Sequence, residues 1–346
     1  MSRLCLLAVA ALGCRSNAPA PAAAPVDRGY LKGQLHVHSS NSGDSETPPD
    51  QVARWYRAHG FDFIVFTDHN RITTLGDTDG LLVFPGVELT QNLETCEPPP
   101  PAPGLGCLLH VNALFVTETS SPAIRWTPPP GIPRRLDLYA NALDETQRLG
   151  GLAQLNHPNF HWGADAALVG ELVHRGLGLF EVANQSSDVA NEGDADHPST
   201  EALWDSVLTA GGILYGVATD DAHHYDDADA VRARGITPDT GGHGWVMVHA
   251  TRDHAAIRDA VMRGDFYSST GVVLDRIERT AHALVITGND GEYDFAFIGL
   301  GGRVLARSHG RAATFPLGAA RGGYVRATVT DARGRRAWVQ PIRVPG

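Results

Sequence analysis

Five short apolar runs in this chain each stop at a histidine or an acid, and that repetition restricts the fold more tightly than any bulk property. Gly33-Gln34-Leu35 leads into His36, Phe61 to Thr67 into Asp68-His69, and Leu81 to Val87 into Glu88. Leu152 to Asn156 leads into His157, and Ile213 to Thr219 into Asp220-Asp221. Short apolar runs bounded by turn-forming residues read as buried strands. Helical stretches alternate with several of them. Thr47 is a candidate N-cap, with Pro48 in the first turn and Gly60 as the stop. Further helices are expected over about 136–149, 199–210 and 253–263, each followed by glycine. Strands alternating with helices predict a parallel sheet, and parallel strands closed into a barrel bring their carboxyl ends to one face. Residues far apart in sequence are therefore expected to share one cleft.

The residues at these positions are metal-binding types. They are His36, His38, Asp44, His69, Glu88, His110, His157, Asp221 and His223. Imidazoles and carboxylates without thiolates suit borderline divalent metals. His36 and His38 point the same way if the segment is extended, because strand side chains repeat every two residues. A lone His-x-His pair is weak evidence. Its weight comes from the other positions falling in order. Asp220 and Asp221 compete for one role, and the Asp-Ala-His spacing favours Asp221. Asp68 is expected to accept a hydrogen bond that orients an imidazole. Arg71 is a candidate contact for an anionic substrate, and Glu181, closing the run Leu177 to Phe180, is expected beside the same mouth. His161 and Trp162 read as loop packing.

The stretches Leu35-His36-Val37-His38-Ser39, Phe66-Thr67-Asp68-His69-Asn70, Gly86-Val87-Glu88, Asn156-His157-Pro158 and Asp220-Asp221-Ala222-His223, with His110 between, resemble the polymerase and histidinol phosphatase (PHP) superfamily. Gly264-Asp265-Phe266-Tyr267-Ser268-Ser269-Thr270-Gly271 and the ending Ala337-Trp338-Val339-Gln340-Pro341-Ile342 are most similar to its CehA/McbA-type metallohydrolase branch. The resemblance covers residues 28–278. It implies a distorted (β/α)7 TIM-like barrel with up to three metals. His36, His38 and Asp221 would hold the first. Glu88 would bridge it to a second completed by His110 and His157. Asp44, His69 and His223 would hold the third. Manganese, zinc or iron suits this nitrogen-rich set better than magnesium or calcium.

After residue 279 the pattern changes to short alternating runs. Tyr324 to Val329 alternates with period two, Asp331-Ala332-Arg333-Gly334 makes a turn, and Ala337 to Val344 returns. Residues 279–346 thus read as a small antiparallel, β-sandwich-like carboxyl-terminal domain. At the other end, Arg3 and the apolar Leu4 to Leu12 read as a signal peptide over 1–14. Ala11-Leu12-Gly13-Cys14 resembles a bacterial lipobox, which would attach the protein to a membrane through lipidated Cys14. Residues 15–27, rich in Ala and Pro, would form a tether. The expected location is the periplasm or cell envelope, including an outer-membrane lipoprotein. In such an oxidising compartment Cys96 and Cys107, which bracket a proline-rich loop, are expected to pair. The proline-rich stretches 92–107 and 117–135 and the polar loops 188–198 and 225–243 are expected to shape the mouth of the site.

The chain of 346 residues carries a formal charge of −11, which argues against a nucleic-acid partner held by backbone electrostatics. A phosphate-cradling glycine loop, a dinucleotide fingerprint and a serine-hydrolase elbow are absent from the sequence. The expected function is metal-dependent hydrolysis of a small, anionic substrate, foremost a phosphate ester, with two or three metals activating water. A carbamate or carboxylic ester or amide is the alternative substrate. A non-catalytic, surface-anchored binding module is the alternative from another class.

Overall fold

The computed structural model describes residues 29–127 and 130–345. The signal peptide, the lipobox with Cys14 and the Ala/Pro-rich tether lie outside the described residues. The amino-terminal half contains β1 (Tyr30–Gln34), α1 (Pro49–Ala58), β2 (Phe63–Val65), β3 (Leu82–Phe84), β4 (Val87–Leu93), β5 (Cys107–Leu114), α2 (Arg135–Arg148) and β6 (Leu152–Leu155). Next come α3 (Ala166–His174), β7 (Leu179–Asn184), α4 (Thr200–Thr209), β8 (Tyr215–Thr219), α5 (Ala228–Ala233), β9 (Trp245–His249), α6 (His254–Arg263) and β10 (Phe266–Ser269). The carboxyl-terminal part is all strand: β11 (Leu274–Arg279), β12 (Ala283–Gly288), β13 (Tyr293–Gly299), β14 (Arg303–Gly310), β15 (Ala312–Pro316), β16 (Gly323–Thr330) and β17 (Arg336–Val344).

Local chemistry accounts for several boundaries. Ser199 and Asp253 cap α4 and α6 by accepting from Ala202 N and Ala256 N. Gly264 ends α6 in the left-handed conformation, at φ 73°. At α1 the cap position belongs to Pro48 rather than Thr47, and no side chain caps the helix. The first turn is closed by Gln51 N and Val52 N, which donate to Pro48 O at 2.9 and 3.0 Å.

The fold is mixed α/β, but its strands do not close into the expected barrel of seven parallel strands. One sheet runs β14-β13-β16-β17-β10-β9-β1-β2-β3, a second β4-β5-β6-β7-β8, and a third β11-β12-β15. In the first sheet β1, β2 and β3 are parallel and β9 is antiparallel to β1. In the second, β6, β7 and β8 are parallel, while β5 is antiparallel to both neighbours. The departure has a local origin. Pro85-Gly86 divides the run from Leu81 to Val87 into two strands that join different sheets. A Cβ on Gly86 would stand 2.6 Å from Phe66 O and 2.9 Å from Ala113 O, so only glycine lets the chain pass here. Between β4 and β5 no helix intervenes, and the Cys96–Cys107 disulfide closes the connection. Parallel pairing needs a longer crossover, so these strands pair antiparallel.

The two larger sheets meet along a buried cluster that draws Leu35, Val65 and Val246 from one and Leu114, Leu179 and Val217 from the other. Helices α2, α3 and α4 cover the five-stranded sheet through Leu138, Tyr139, Val169, Leu172 and Trp204. Two isolated parallel bridges, Val37 to Ala222 and His69 to Glu88, join the sheets beyond their regular strands. Every candidate metal ligand lies near this seam. Residues after 279 form two antiparallel layers around Leu284, Ile286, Phe295, Phe315 and Val325. They are continuous with the rest, because β17 pairs with β10.

Candidate metal centre

The nine predicted ligands come together. His36 and His38 leave the end of β1, and both are sealed from solvent. Their Nε2 atoms each lie 3.1 Å from Asp221 Oδ1, and 3.4 and 3.3 Å from Glu88 Oε2. Glu88 Oε1 faces His110 Nδ1 at 3.0 Å and His157 Nε2 at 3.7 Å. Asp44 Oδ2 lies 3.0 Å from His69 Nε2 and 3.4 Å from His223 Nε2. Three overlapping groups result: His36, His38 and Glu88; Glu88, His110 and His157; and His38, Asp44, His69 and His223. Glu88 belongs to two of them through different oxygens. His38 also belongs to two, and Asp221, assigned by the resemblance to the first metal, belongs to none although its Oδ1 adjoins His36 and His38, two departures from what the resemblance implied.

These spacings fit metal coordination. Atoms bound to one ion at about 2.1 Å are about 3.0 Å apart at a right angle and about 3.4 Å apart at the tetrahedral angle. Ordinary hydrogen bonding does not account for the centre, because His36 Nε2, His38 Nε2 and Glu88 Oε2 are buried and have no hydrogen-bond partner among the described residues. Buried polar atoms are nearly always satisfied, so three converging exceptions call for a ligand.

The surrounding contacts orient several of the imidazoles. His36 Nδ1 donates to Glu181 Oε1 at 2.7 Å, so its Nε2 faces the acids. His38 Nδ1 lies 2.9 Å from Ser42 Oγ, and His223 Nδ1 donates to Asp221 O at 2.9 Å. His110 is reversed: its Nε2 donates to Asn92 Oδ1 at 2.8 Å and its Nδ1 faces Glu88.

The electrostatics divide the six imidazoles: burial opposes charge on His36, His157 and His223, yet the neighbouring acids lift all three, whereas burial holds His110 down. Burial opposes ionisation of Glu88, yet His69, His110 and His36 outweigh it and hold its carboxyl well below the usual range. Burial likewise opposes ionisation of Asp44, and His223 and His69 outweigh it. Burial and the neighbouring His223 press His38 down to about 3, which keeps its imidazole neutral, the form that binds metal. Burial also disfavours charge on His69, but Glu88 and Asp44 lift it to about 10. These acids take their countercharge from the imidazoles around them, a role that a bound cation would also fill.

Backbone strain gathers here too. Asn70, His157 and Asp221 have φ of 50°, 24° and 53°, a region that non-glycine residues seldom occupy and that recurs at functional sites.

The structure separates the remaining candidates. Asp221 faces the centre, whereas Asp220 accepts from Gly242 N, His243 N and Gly244 N and holds that loop. Asp68 does not orient an imidazole as expected. It accepts from Ser39 N and Oγ and from Thr73 Oγ1, so its carboxylate ties the ends of β1 and β2 together instead. Glu181 takes that orienting role. Fully buried, it accepts from His36 Nδ1, Thr219 Oγ1 (2.6 Å), Asn184 Nδ2 (2.8 Å) and His157 N (2.6 Å). Arg71 is exposed and does not line the cavity beside the centre.

That cavity measures about 200 Å³. Besides candidate ligands it is lined by Phe160, Ser186, Asp188, Val189 and Asp239. The polar loops 188–198 and 225–243 thus reach the mouth, whereas the proline-rich stretch 92–107 lines a different cavity. Sequence reasoning missed Ser42, Asn92, Asn112, Asn156 and Asn184. A usable signal existed for some: His110 and Asn112 on β5, and Gln154 and Asn156 around β6, repeat every two residues on one buried face of otherwise apolar strands. Comparison with protein-family models finds no match, and comparison with curated proteins finds none either.

Proposed function

We propose that this protein is a metal-dependent hydrolase of the PHP type that binds two or three divalent ions and acts on a small phosphate ester. The observation that carries this reading is the convergence of three buried, hydrogen-bond-free atoms, His36 Nε2, His38 Nε2 and Glu88 Oε2. Bound manganese, zinc or iron would supply Lewis acidity and lower the pKa of a bound water toward neutrality. The chain's own residues do the rest. Glu88 offers one oxygen to each of two groups, Glu181 fixes the planes of His36 and the His157 turn, and Asp44 completes the outer group with His69 and His223. Three adjoining cation positions suit a phosphoryl group, whose several oxygens share charge. Glu181 acts as a positioning residue, while no side-chain contact supports a substrate role for Asp68 or Arg71.

A specific observation favours a second reading, a carbamate or carboxylic ester or amide. Apart from candidate ligands, the cavity lining includes Phe160, Val189, Asp188 and Asp239 and, among the described residues, no lysine or arginine. Such walls suit a neutral acyl substrate. Turnover of p-nitrophenyl phosphate and bis-p-nitrophenyl phosphate against aryl carbamates and aryl esters separates the two. Inactivity on every substrate with ions bound would sink the hydrolase reading and leave a non-catalytic binding module. An exported location accords with the Cys96–Cys107 disulfide.

A further inference from the structure

A second cavity, of about 360 Å³, lies apart from the candidate ligands, between the proline-rich loop and the start of α2 and α3. It falls in the size range of small-molecule sites. Its walls are largely apolar, with Pro98, Pro99, Trp162, Leu136 and Leu168 among them. One wall residue is out of character. Arg135 is 7% exposed, yet no carboxylate pairs with it among the described residues. Its Nε contacts Cys96 Sγ and its Nη1 donates to the carbonyls of Trp162 and Gly163, while Nη2 has no partner among the described residues. A buried guanidinium without a counter-charge is costly. Arg135 also opens α2, whose first turn lines the same cavity, and its own N–H is taken by Glu97 O at 2.8 Å, so the guanidinium is the group left to meet a ligand there. Two carboxylates reach the lining. Glu97 is exposed at the rim, and Asp165 caps α3 by accepting from Leu168 N at 2.8 Å.

We propose that this cavity binds a small amphipathic anion, with its carboxylate on the Arg135 guanidinium and its apolar body against Trp162, Leu168 and the prolines. The test is calorimetric titration of the full, metal-loaded protein with 4-phenylbutyrate and with the uncharged 4-phenyl-1-butanol. The carboxylate is expected to bind at least about tenfold tighter than the alcohol, the scale of a charge-assisted hydrogen bond. Leu168→Trp, which fills the cavity, is expected to abolish binding, and Arg135→Gln to weaken the carboxylate alone. Should Arg135→Gln fail to fold, the other two comparisons still decide. Equal binding of acid and alcohol, absence of binding, or binding that survives Leu168→Trp (as it would at the metal centre) overturns the proposal.

Discussion

His36 Nε2 and Glu88 Oε2 stand 3.4 Å apart, both sealed from solvent and neither hydrogen-bonded. A metal ion bound by both atoms would satisfy both at once. Glu88→Gln keeps the shape and removes the charge. The variant is expected to lose at least one bound ion per chain and to drop in turnover by about 100-fold or more, as for loss of a group that stabilises transition-state charge. Metal analysis beside a circular-dichroism spectrum checks this. Full metal content in a folded Glu88→Gln protein would contradict it.

Glu181 holds His36 and the His157 backbone without facing the cavity. Glu181→Ala is expected to weaken metal affinity by about 10–100-fold. Glu181→Gln, which still accepts hydrogen bonds, should recover part of that loss. Titration against a competing chelator measures both. Equal affinity in all three proteins would remove Glu181 from the positioning role.

Arg326 on β16 is 1% exposed and grips Asp205 of α4 through Nε and Nη2, each at 2.7 Å, with Glu201 at 3.0 Å. Arg326→Met strands two carboxylates and is expected to cost about 3–5 kcal/mol. The pH dependence has a definite sign. Burial pushes the Glu201 carboxyl up, but Arg326, with Trp338 and Arg336, leaves it below its ordinary value of 4.5. This stabilisation is complete above that value and is lost as pH falls through the lower, folded one. Urea midpoints at pH 7 and pH 4 should converge between wild type and Arg326→Met. Parallel curves would show that the pair is not linked to protonation.

The Cys96–Cys107 disulfide closes a loop with a sequence separation of 11. By loop-closure entropy Cys96→Ser should cost about 2–3 kcal/mol. Thermal melts should show the gap under oxidising conditions and its disappearance with reductant. Iodoacetamide labelling of the wild type before reduction would refute the bond.

Much of the centre was legible because it is built from residues whose types betray their chemistry at short spacings. Asp221 and His223 two residues apart, and His36 and His38 on one side of a strand end, need little tertiary information. Glu88 was read at a strand's end and lies near a strand's beginning, since Pro85-Gly86 redirects the chain. His110 lies within β5, where only the alternation with Asn112 marks its face. Strand partners were not legible. The pairing of β17 with β10 joins segments about seventy residues apart, and local periodicity carries no register for such a pair. Arg326 falls at an alternating position that reads as solvent-facing. Its burial depends on Asp205 and Glu201, which lie more than a hundred residues earlier.

The central claim is that nine side chains from both sheets hold cations. Elemental mass spectrometry on protein purified without chelators tests it most directly. The expected result is two or three divalent transition-metal ions per wild-type chain, falling in His36→Ala. A folded wild-type protein that takes up no such ion when supplied with manganese, zinc or iron would contradict it.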